Sequence, residues 1–246
     1  MVRAALSGCA VRIFGRLLEL LSEQDCRLCG AASLRPICVA CDADLPRLPL
    51  ERCPVCALPS PDAQTCGRCL SATPAYDETR AALEYAFPVT RLIQSFKYQH
   101  AVGLGATLAA YLNQAIPANE PWSVDLLVPL PLAPARLKER GYNQALELAR
   151  VLARQRGLAL DGRAVARVRH APPQADLPWK ERRRNIRGAF AARRRFDGCS
   201  VAVIDDVMTT GATLDEMARV LKAAGALRVV NWVVARTLPR PSAHMP

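Results

Sequence analysis

The chain has 246 residues, enough for one large domain or for a medium-sized domain with a small module. Hydrophobic residues make up 51% and charged residues 22%, as in ordinary globular proteins, and no apolar run approaches the roughly 20 residues of a membrane helix. The net charge of +11 favours an anionic ligand or partner. We expect no membrane insertion and a cytoplasmic location, because the first residues leave no room for the apolar core of a signal peptide.

The first predicted element is an amphipathic helix, because apolar side chains recur at helical spacing between Val11 and Leu21. We assign residues 1–24 to this helix and residues 25–72 to a cysteine-rich module. Residues 73–240 form the larger domain, which follows a short linker.

Eight of the ten cysteines form four CxxC pairs, which is typical of structural zinc. Two pairs separated by eight or nine residues can close a tetrahedral site, and four protein ligands leave no position open for catalysis. Disulfides would need an oxidising compartment, and a redox-active CxxC would occur singly. We expect two Zn²⁺ ions with sequential pairing, although interleaved pairing stays open. The first ion would be held by Cys26, Cys29, Cys38 and Cys41, and the second by Cys53, Cys56, Cys66 and Cys69.

Strand and helix patterns alternate in the larger domain, which predicts an α/β fold with a parallel sheet and helices on both faces. A polar, basic loop is expected over residues 171–188. The predicted strands cover residues 77–87, 124–128, 165–168, 201–204 and 227–235, and the predicted helices cover residues 90–111, 136–155 and 213–224.

The most informative segment is residues 201–216, VAVIDDVMTTGATLDE. Its order of strand, acidic pair, turn and helix places Asp205 and Asp206 at the carboxyl end of a strand, where open α/β sheets bind ligands. The turn and the helix N-terminus could bind a phosphate, while the carboxylates could accept hydrogen bonds from ribose hydroxyls. A ribose 5-phosphate carries both the phosphate and the hydroxyl groups that such a site would bind. The alternative is a simple βα turn with Thr209 or Thr210 as the N-cap.

This segment resembles the phosphoribosyl pyrophosphate (PRPP) loop of phosphoribosyltransferases, which reads as strand, two acidic residues and TTGxT. Further motifs match the ComF family, which joins CxxC knuckles to a phosphoribosyltransferase-like domain. The resemblance extends from Cys26 to Arg236 and implies a type I phosphoribosyltransferase-like sheet preceded by a small double zinc ribbon with four cysteines per site. The matching motifs are Phe96-Lys97-Tyr98, Arg140-Gly141-Tyr142-Asn143-Gln144, Gln174 and the RNIRGAF segment over residues 184–190.

The resemblance implies a pocket for PRPP and, as one hypothesis, a phosphoribosyltransferase of the pentosyl glycosyltransferase class. Asp205 and Asp206 would be the catalytic pair and would hold the ribose hydroxyls, directly or through Mg²⁺ bound with PRPP. The phosphate turn would comprise Thr209, Thr210, Gly211, Ala212 and Thr213, and pyrophosphate or nucleic acid would contact Arg140, Arg182, Arg183, Arg184 and Arg187.

Residues 163–195 carry eleven Lys or Arg and two acidic residues, a net +9. This density favours pyrophosphate or nucleic acid as a ligand, with a disordered basic loop as the alternative. ComF-like proteins are associated with natural competence, so single-stranded DNA and the competence machinery are candidate partners. The alternative function is a non-catalytic sensor or nucleic-acid-binding module that uses the phosphoribose pocket only for binding. In a third hypothesis, the zinc module mediates only protein contacts.

Overall fold

A computed structural model of the protein describes residues 24–98, 103–118, 123–168 and 186–239. The predicted N-terminal helix lies outside these ranges, as do Arg182, Arg183, Arg184 and most of the basic loop. The chain divides into two units, Met1–Leu45 and Pro46–Pro246. This division falls between the two groups of cysteines. The domain limits expected after residues 24 and 72 remain predictions.

The described part of the first unit is a small ribbon built around its CxxC pairs. Two short strands pair in an antiparallel manner, with Gln24 opposite Ser33, and the Cys26 N–H donates to the Ala31 carbonyl at 2.8 Å. These contacts form the turn that presents the first CxxC pair. The elements are β1 (Gln24–Asp25), β2 (Ala32–Ser33) and α1 (Val39–Ala43).

The second unit contains a five-stranded parallel sheet, as the alternating sequence pattern predicted. Its strand order is β3-β9-β8-β4-β5, and a separate antiparallel pair is formed by β6 and β7. The strands are β3 (Glu78–Glu84), β4 (Leu126–Pro129), β5 (Ala159–Leu160), β6 (Val165–Arg167), β7 (Phe190–Ala192), β8 (Ser200–Met208) and β9 (Arg228–Arg236). The helices are α2 (Gly67–Ser71), α3 (Val89–Tyr98), α4 (Gly103–Ala115), α5 (Pro134–Arg140), α6 (Gln144–Arg156) and α7 (Ala212–Ala223).

The core lies on both faces of the sheet, because the central strands are apolar on both sides. On β9, Val233 belongs to the same buried cluster as Leu214 of α7. The neighbouring Trp232 points the other way, where the Arg156 guanidinium of α6 lies 5.5 Å from the centroid of the indole ring. Successive side chains of a strand alternate between faces, so α6 and α7 cover opposite faces of the sheet.

One predicted helix needs correction. The helix expected over residues 136–155 is two helices, because Gly141 ends α5 in a left-handed conformation (φ 77°) and Asn143 caps α6 by accepting from the Ala145 N–H. The helix expected over residues 90–111 corresponds to α3 and α4, and residues 99–102 between them lie outside the described residues.

The strand expected near residue 165 does not join the parallel sheet. It is β6, which pairs antiparallel with β7, while the two-residue β5 supplies the fifth strand. Two residues give no periodicity to detect, so tertiary pairing alone decides this edge. Among the described residues, no helix is long and apolar enough to cross a membrane.

Candidate functional site

The acidic pair lies where the sheet changes its direction of winding. The chain leaves β4 towards β5 on one side and leaves β8 towards β9 on the other, and such a switch point opens a crevice at the carboxyl ends of the strands. β8 is longer than predicted. β8 pairs with β9 from Ser200 to Met208, whereas its last partner on β4 is Pro129, opposite Ile204. Asp205 and Asp206 therefore lie inside the strand, on the segment that projects beyond β4.

Lys97 of α3 contacts the acidic pair directly. Its Nζ lies 2.8 Å from Asp206 Oδ2, and the two side chains are 20% and 9% exposed. The Asp206 N–H donates to Asp205 Oδ1 at 2.9 Å, and this bond orients the Asp205 carboxyl group. We did not predict Lys97 as a site residue, although its tripeptide with Phe96 and Tyr98 was one of the motifs that indicated the family.

The two carboxyl groups differ in their electrostatic setting. Burial, followed by the charge of Asp206, raises the pKa of Asp205 to about 8, even though the side chain keeps partial exposure. Burial lowers the pKa of Lys97, but the charge and hydrogen bond of Asp206 outweigh it and the net shift is upward. The cluster therefore favours a charged Lys97 and the protonated form of Asp205.

Arg140 is a buried cation close to this cluster, and the sequence predicted it as a site residue. It is 7% exposed, donates to the Tyr98 hydroxyl at 3.0 Å and to Gln144 Oε1 at 3.1 Å, and stacks 4.8 Å from the centroid of the Tyr98 ring. The Arg140 charge also acts on Asp205, where it opposes the effect of burial on the pKa. Arg140 Nε has no hydrogen-bond partner among the described residues.

Two motifs far apart in sequence are joined at this point. The Tyr142 hydroxyl donates to the Phe96 carbonyl, and the two rings lie 5.9 Å apart. Asn143 Nδ2 donates to the Leu130 carbonyl at 3.1 Å, which attaches the start of α6 to the segment after β4. The FKY and RGYNQ motifs that indicated the ComF family thus form one cluster beside the acidic pair.

The turn after β8 has the conformation of a tight loop at a helix N-terminus. Gly211 is the N-cap of α7 with φ 82°, so neither Thr209 nor Thr210 takes that position. The Ala212 N–H donates to Thr210 Oγ1 at 3.3 Å. A Cβ on Gly211 would lie 2.7 Å from Met208 Cε and 3.0 Å from the Tyr76 hydroxyl, so a larger residue would displace the Met208 side chain.

The remaining predicted contacts lie around this turn or beyond the described residues. Thr209 is exposed between β8 and Gly211, and Thr213 is the second residue of α7. Arg187 is exposed, and the N–H of the adjacent Gly188 donates to Glu216 Oε1 of α7 at 2.7 Å. Arg182, Arg183 and Arg184 lie outside the described residues.

Arg167 of β6 is a further cation near the acidic pair that we did not predict. Burial and the neighbouring Arg136 lower its pKa, while Asp205 acts in the opposite direction. In the sequence, Arg167 counts only as part of the basic segment 163–195, and its proximity to Asp205 follows from the tertiary structure.

The eight paired cysteines form two separate groups that could hold structural metal ions. Within each group, the ligand atoms lie within 4.8 Å of one another, in the sequential grouping that the spacing favoured. Cys29 and Cys38 have their sulfurs 3.7 Å apart, and Cys56 and Cys66 have theirs 3.6 Å apart. Tetrahedral Zn²⁺ with bonds of about 2.3 Å would place its sulfurs about 3.8 Å apart, so the donor sets fit such an ion. The described cysteines form no disulfide.

In each group, the first cysteine accepts a hydrogen bond that favours its thiolate, whereas the pKa values of Cys41, Cys56 and Cys69 are raised. The Cys38 N–H donates to Cys26 Sγ, and the Cys66 N–H donates to Cys53 Sγ, each at 3.3 Å. Burial raises the pKa of Cys26 and Cys53, but the backbone donors outweigh it and lower the pKa values to about 6 and about 7. A thiolate is the form that binds metal.

Comparison with known proteins identifies relatives over most of the chain. DNA utilization protein YhgH of Salmonella typhimurium is 34% identical over 218 residues, which cover 87% of this chain and 96% of that protein. Competence protein F of Haemophilus influenzae is 36% identical over 181 residues, which cover 71% and 79%. No protein-family model matches the chain.

Among solved structures, a purine phosphoribosyltransferase from Pyrococcus horikoshii is 14% identical, with a TM-score of 0.27, and the match covers 61% of this chain and 95% of that chain. Because this TM-score is low, we describe the fold by its strand order and by the position of the acidic pair, and not by this superposition. The identity shared with the two relatives over most of their length shows that the chain belongs to the ComF family, which includes competence protein F and DNA utilization protein YhgH.

Proposed function

We propose that the crevice at Asp205 and Asp206 binds PRPP or a related phosphoribose, and that the protein is a phosphoribosyltransferase of the pentosyl class. The observation that carries this proposal is the position of the acidic pair at the switch point of the sheet, directly before a turn that opens α7. Hydroxyl-binding carboxylates and a phosphate-binding helix N-terminus are then one turn apart.

In this proposal, the turn from Thr209 to Thr213 binds the 5-phosphate through backbone N–H groups. Asp205 and Asp206 accept hydrogen bonds from the ribose hydroxyls. Transfer would break the bond between the anomeric carbon and pyrophosphate and form a bond to an acceptor. Catalysis would rest on positioning and charge. The residues proposed to neutralise the departing pyrophosphate are Arg140, Arg182, Arg183, Arg184 and Arg187.

Mg²⁺ is the proposed cofactor of PRPP binding, because two adjacent carboxylates supply the hard oxygen ligands that this ion prefers. When bound, it would neutralise charge on the diphosphate. Because the surroundings of Asp205 raise its pKa, binding of the ion would favour release of a proton from this carboxyl group, and Lys97 would share Asp206 with the arriving ligand. We also propose Zn²⁺ as the metal of both four-cysteine groups, and the cytoplasm, where thiols stay reduced, as the compartment.

A thermal-shift titration with PRPP, ribose 5-phosphate and AMP, each with and without Mg²⁺, tests binding, because a ligand of the folded state raises its stability by mass action. Release of pyrophosphate from PRPP across a panel of acceptors tests transfer. Asp205→Asn with Asp206→Asn should abolish both signals. PRPP binding without pyrophosphate release from any acceptor would remove the enzyme from the proposal and leave a sensor.

A second candidate function is the handling of single-stranded DNA, together with the competence machinery. The names of the two relatives and the net charge of +9 over residues 163–195 favour it. Basic side chains would follow the DNA phosphates, so affinity should fall steeply with salt.

Arg182→Ala with Arg183→Ala should weaken binding of an oligonucleotide and reduce the salt slope by about two. The matched control is Arg150→Ala with Arg154→Ala, which removes the same charge from two exposed arginines of α6, outside residues 163–195. Equal loss in both double variants would indicate a nonspecific charge effect, and the DNA hypothesis would then fail.

A further inference from the structure

A buried arginine links the second four-cysteine group to the phosphate turn. Arg236, at the end of β9, is 1% exposed. Its Nε donates to the Cys56 carbonyl at 2.8 Å. Its Nη1 donates to the Met208 carbonyl at 3.0 Å and also to the Thr209 carbonyl. One guanidinium therefore holds a candidate metal ligand and the start of the turn together. A buried charge is costly unless it is hydrogen-bonded, and Arg236 makes its bonds through Nε and Nη1, whereas Nη2 has no partner among the described residues.

A second arginine joins the same two parts. Arg68 lies on α2 between Cys66 and Cys69, two members of the second four-cysteine group. Its Nη2 donates to the Thr210 carbonyl at 2.5 Å. The position of Arg68 is thus fixed by a short helix that is flanked and held by cysteines of one metal group.

The space between the two parts is partly open. A cavity of about 380 Å³, which includes space open to solvent, is lined by Cys56, Cys69, Arg68, Tyr76, Thr210 and Gly211, among others. The Tyr76 side chain is buried, and its hydroxyl lies close to Gly211. The turn therefore packs on the second four-cysteine group through a small number of specific contacts, so each contact affects its position.

We infer that Arg236 and Arg68 are positioning residues, through which the metal held by Cys53, Cys56, Cys66 and Cys69 fixes the phosphate turn in its binding conformation. The inference rests on the proposed function only where it concerns phosphate binding. Metal loading sets the backbone of Cys56 and of α2, and these set the carbonyl and the guanidinium that contact the turn. Ligand affinity of the turn then depends on the second metal group.

Full-length Cys66→Ser tests this, with Cys29→Ser as the matched control in the other unit. Each variant should lose one of two metal ions, as measured by metal analysis. In Cys66→Ser, hydrogen exchange of the amides from Met208 to Ala212 should accelerate at least about tenfold. With the Arg236 and Arg68 contacts weakened, local opening of the turn costs less free energy. In Cys29→Ser, exchange of the same amides should stay as in the wild type.

Arg68→Ala tests the link with both metal groups intact, because Arg68 is exposed and ligates nothing. Metal content should remain two ions per chain, exchange of the turn amides should accelerate, and affinity for ribose 5-phosphate should fall about three- to tenfold. Arg68→Lys should recover part of this affinity. Arg150→Ala, which removes another exposed arginine outside residues 163–195, should have no effect.

If the turn amides respond as expected but the wild type binds no phosphoribose, the link stands and the proposed function fails. If Arg68→Ala keeps both metals and leaves exchange and affinity at wild-type values, the inference is overturned. Should Cys66→Ser unfold the whole second unit, the Arg68 variants decide the question alone.

Discussion

At the scale of single residues, the electrostatics of the site depend on how strongly the charge of Lys97 acts on the carboxyl groups of Asp205 and Asp206. Lys97 pairs with Asp206, and its effect on Asp205 is weaker than that of burial, so the pKa of Asp205 rises to about 8. Adjacent carboxylates in one crevice cannot both ionise without compensation. The lysine supplies compensation for one charge, and a bound cation or hydroxyl group would supply it for the other.

We expect Lys97→Met to lower the free energy of unfolding by about 2 kcal/mol, because it leaves the Asp206 carboxylate buried without its cation. The expected cost is below that of a fully buried pair, since Lys97 keeps some exposure. Urea unfolding measures it, with Lys97→Arg as the charge-conserving control. Adding Asp206→Asn to Lys97→Met should restore part of the stability, and an equal loss in the single and double variants would contradict the pairing.

The raised pKa of Asp205 predicts a definite pH dependence. The folded protein retains a proton up to about pH 8, whereas the unfolded chain releases it near pH 4, so stability falls as pH rises between these values. Asp205→Asn removes this loss. Its free energy of unfolding relative to the wild type should increase by up to about 1.4 kcal/mol per pH unit between about pH 6 and 7.5.

Urea unfolding of both proteins at several pH values tests the slope. The comparison cancels the titration of the cysteines, which both proteins share. The raised pKa of Lys97 contributes stability below its unfolded value near pH 10 and loses it only at higher pH, outside this range. A difference between the two proteins that does not vary with pH would refute the raised pKa.

At the scale of elements, the site lies where β8 extends beyond β4 and leads into α7. The strand carries the acidic pair beyond β4, and Gly211 turns the chain into the helix within three residues of Met208. The extension of β8 and the turn at Gly211 both depend on local geometry that leaves little space for additional side-chain atoms. The turn is fixed by its left-handed residue and by the packing of Met208 and Tyr76 against it.

We expect Gly211→Ala to lower the free energy of unfolding by about 2–3 kcal/mol, because it combines left-handed strain with a clash at 2.7 Å from Met208 Cε. Gly141→Ala is the matched control: its φ of 77° is similar, but nothing lies within 4 Å of the added Cβ. This control should cost about 1 kcal/mol from backbone strain alone. Chemical denaturation compares them, and equal losses would show that packing at Gly211 is unimportant.

At the scale of the whole molecule, the two four-cysteine groups belong to different units. The first lies in Met1–Leu45 and the second in the unit that contains the sheet. The second group therefore lies in the same unit as the sheet that carries the candidate site. The ComF family membership covers both units, since the match to the Salmonella typhimurium relative spans 87% of the chain.

Metal analysis of a double variant tests the sequential grouping. Cys26→Ser with Cys38→Ser removes two ligands from the first group alone, so the protein should retain one metal ion per chain. Interleaved pairing would place these two cysteines in different sites and reduce binding at both. Cys26→Ser with Cys29→Ser serves as the control, because both arrangements predict the loss of one ion.

Sequence patterns by themselves determined the alternating α/β fold, the two cysteine groups and the acidic pair before a tight turn. These features depend on interactions between residues close in sequence, such as CxxC spacing, an apolar strand and a turn rich in small residues. Even the RGYNQ and FKY motifs could be recognised without their contacts. Their local character is the reason that a single chain reveals them.

Only the tertiary structure decided which distant residues meet. Lys97 reaches Asp206, Arg167 comes near Asp205, and Arg236 joins the Cys56 carbonyl to the phosphate turn. The edge strand β5 and the extension of β8 also arise from pairing with neighbouring strands. Long-range pairing and burial set these features, and no local periodicity encodes them.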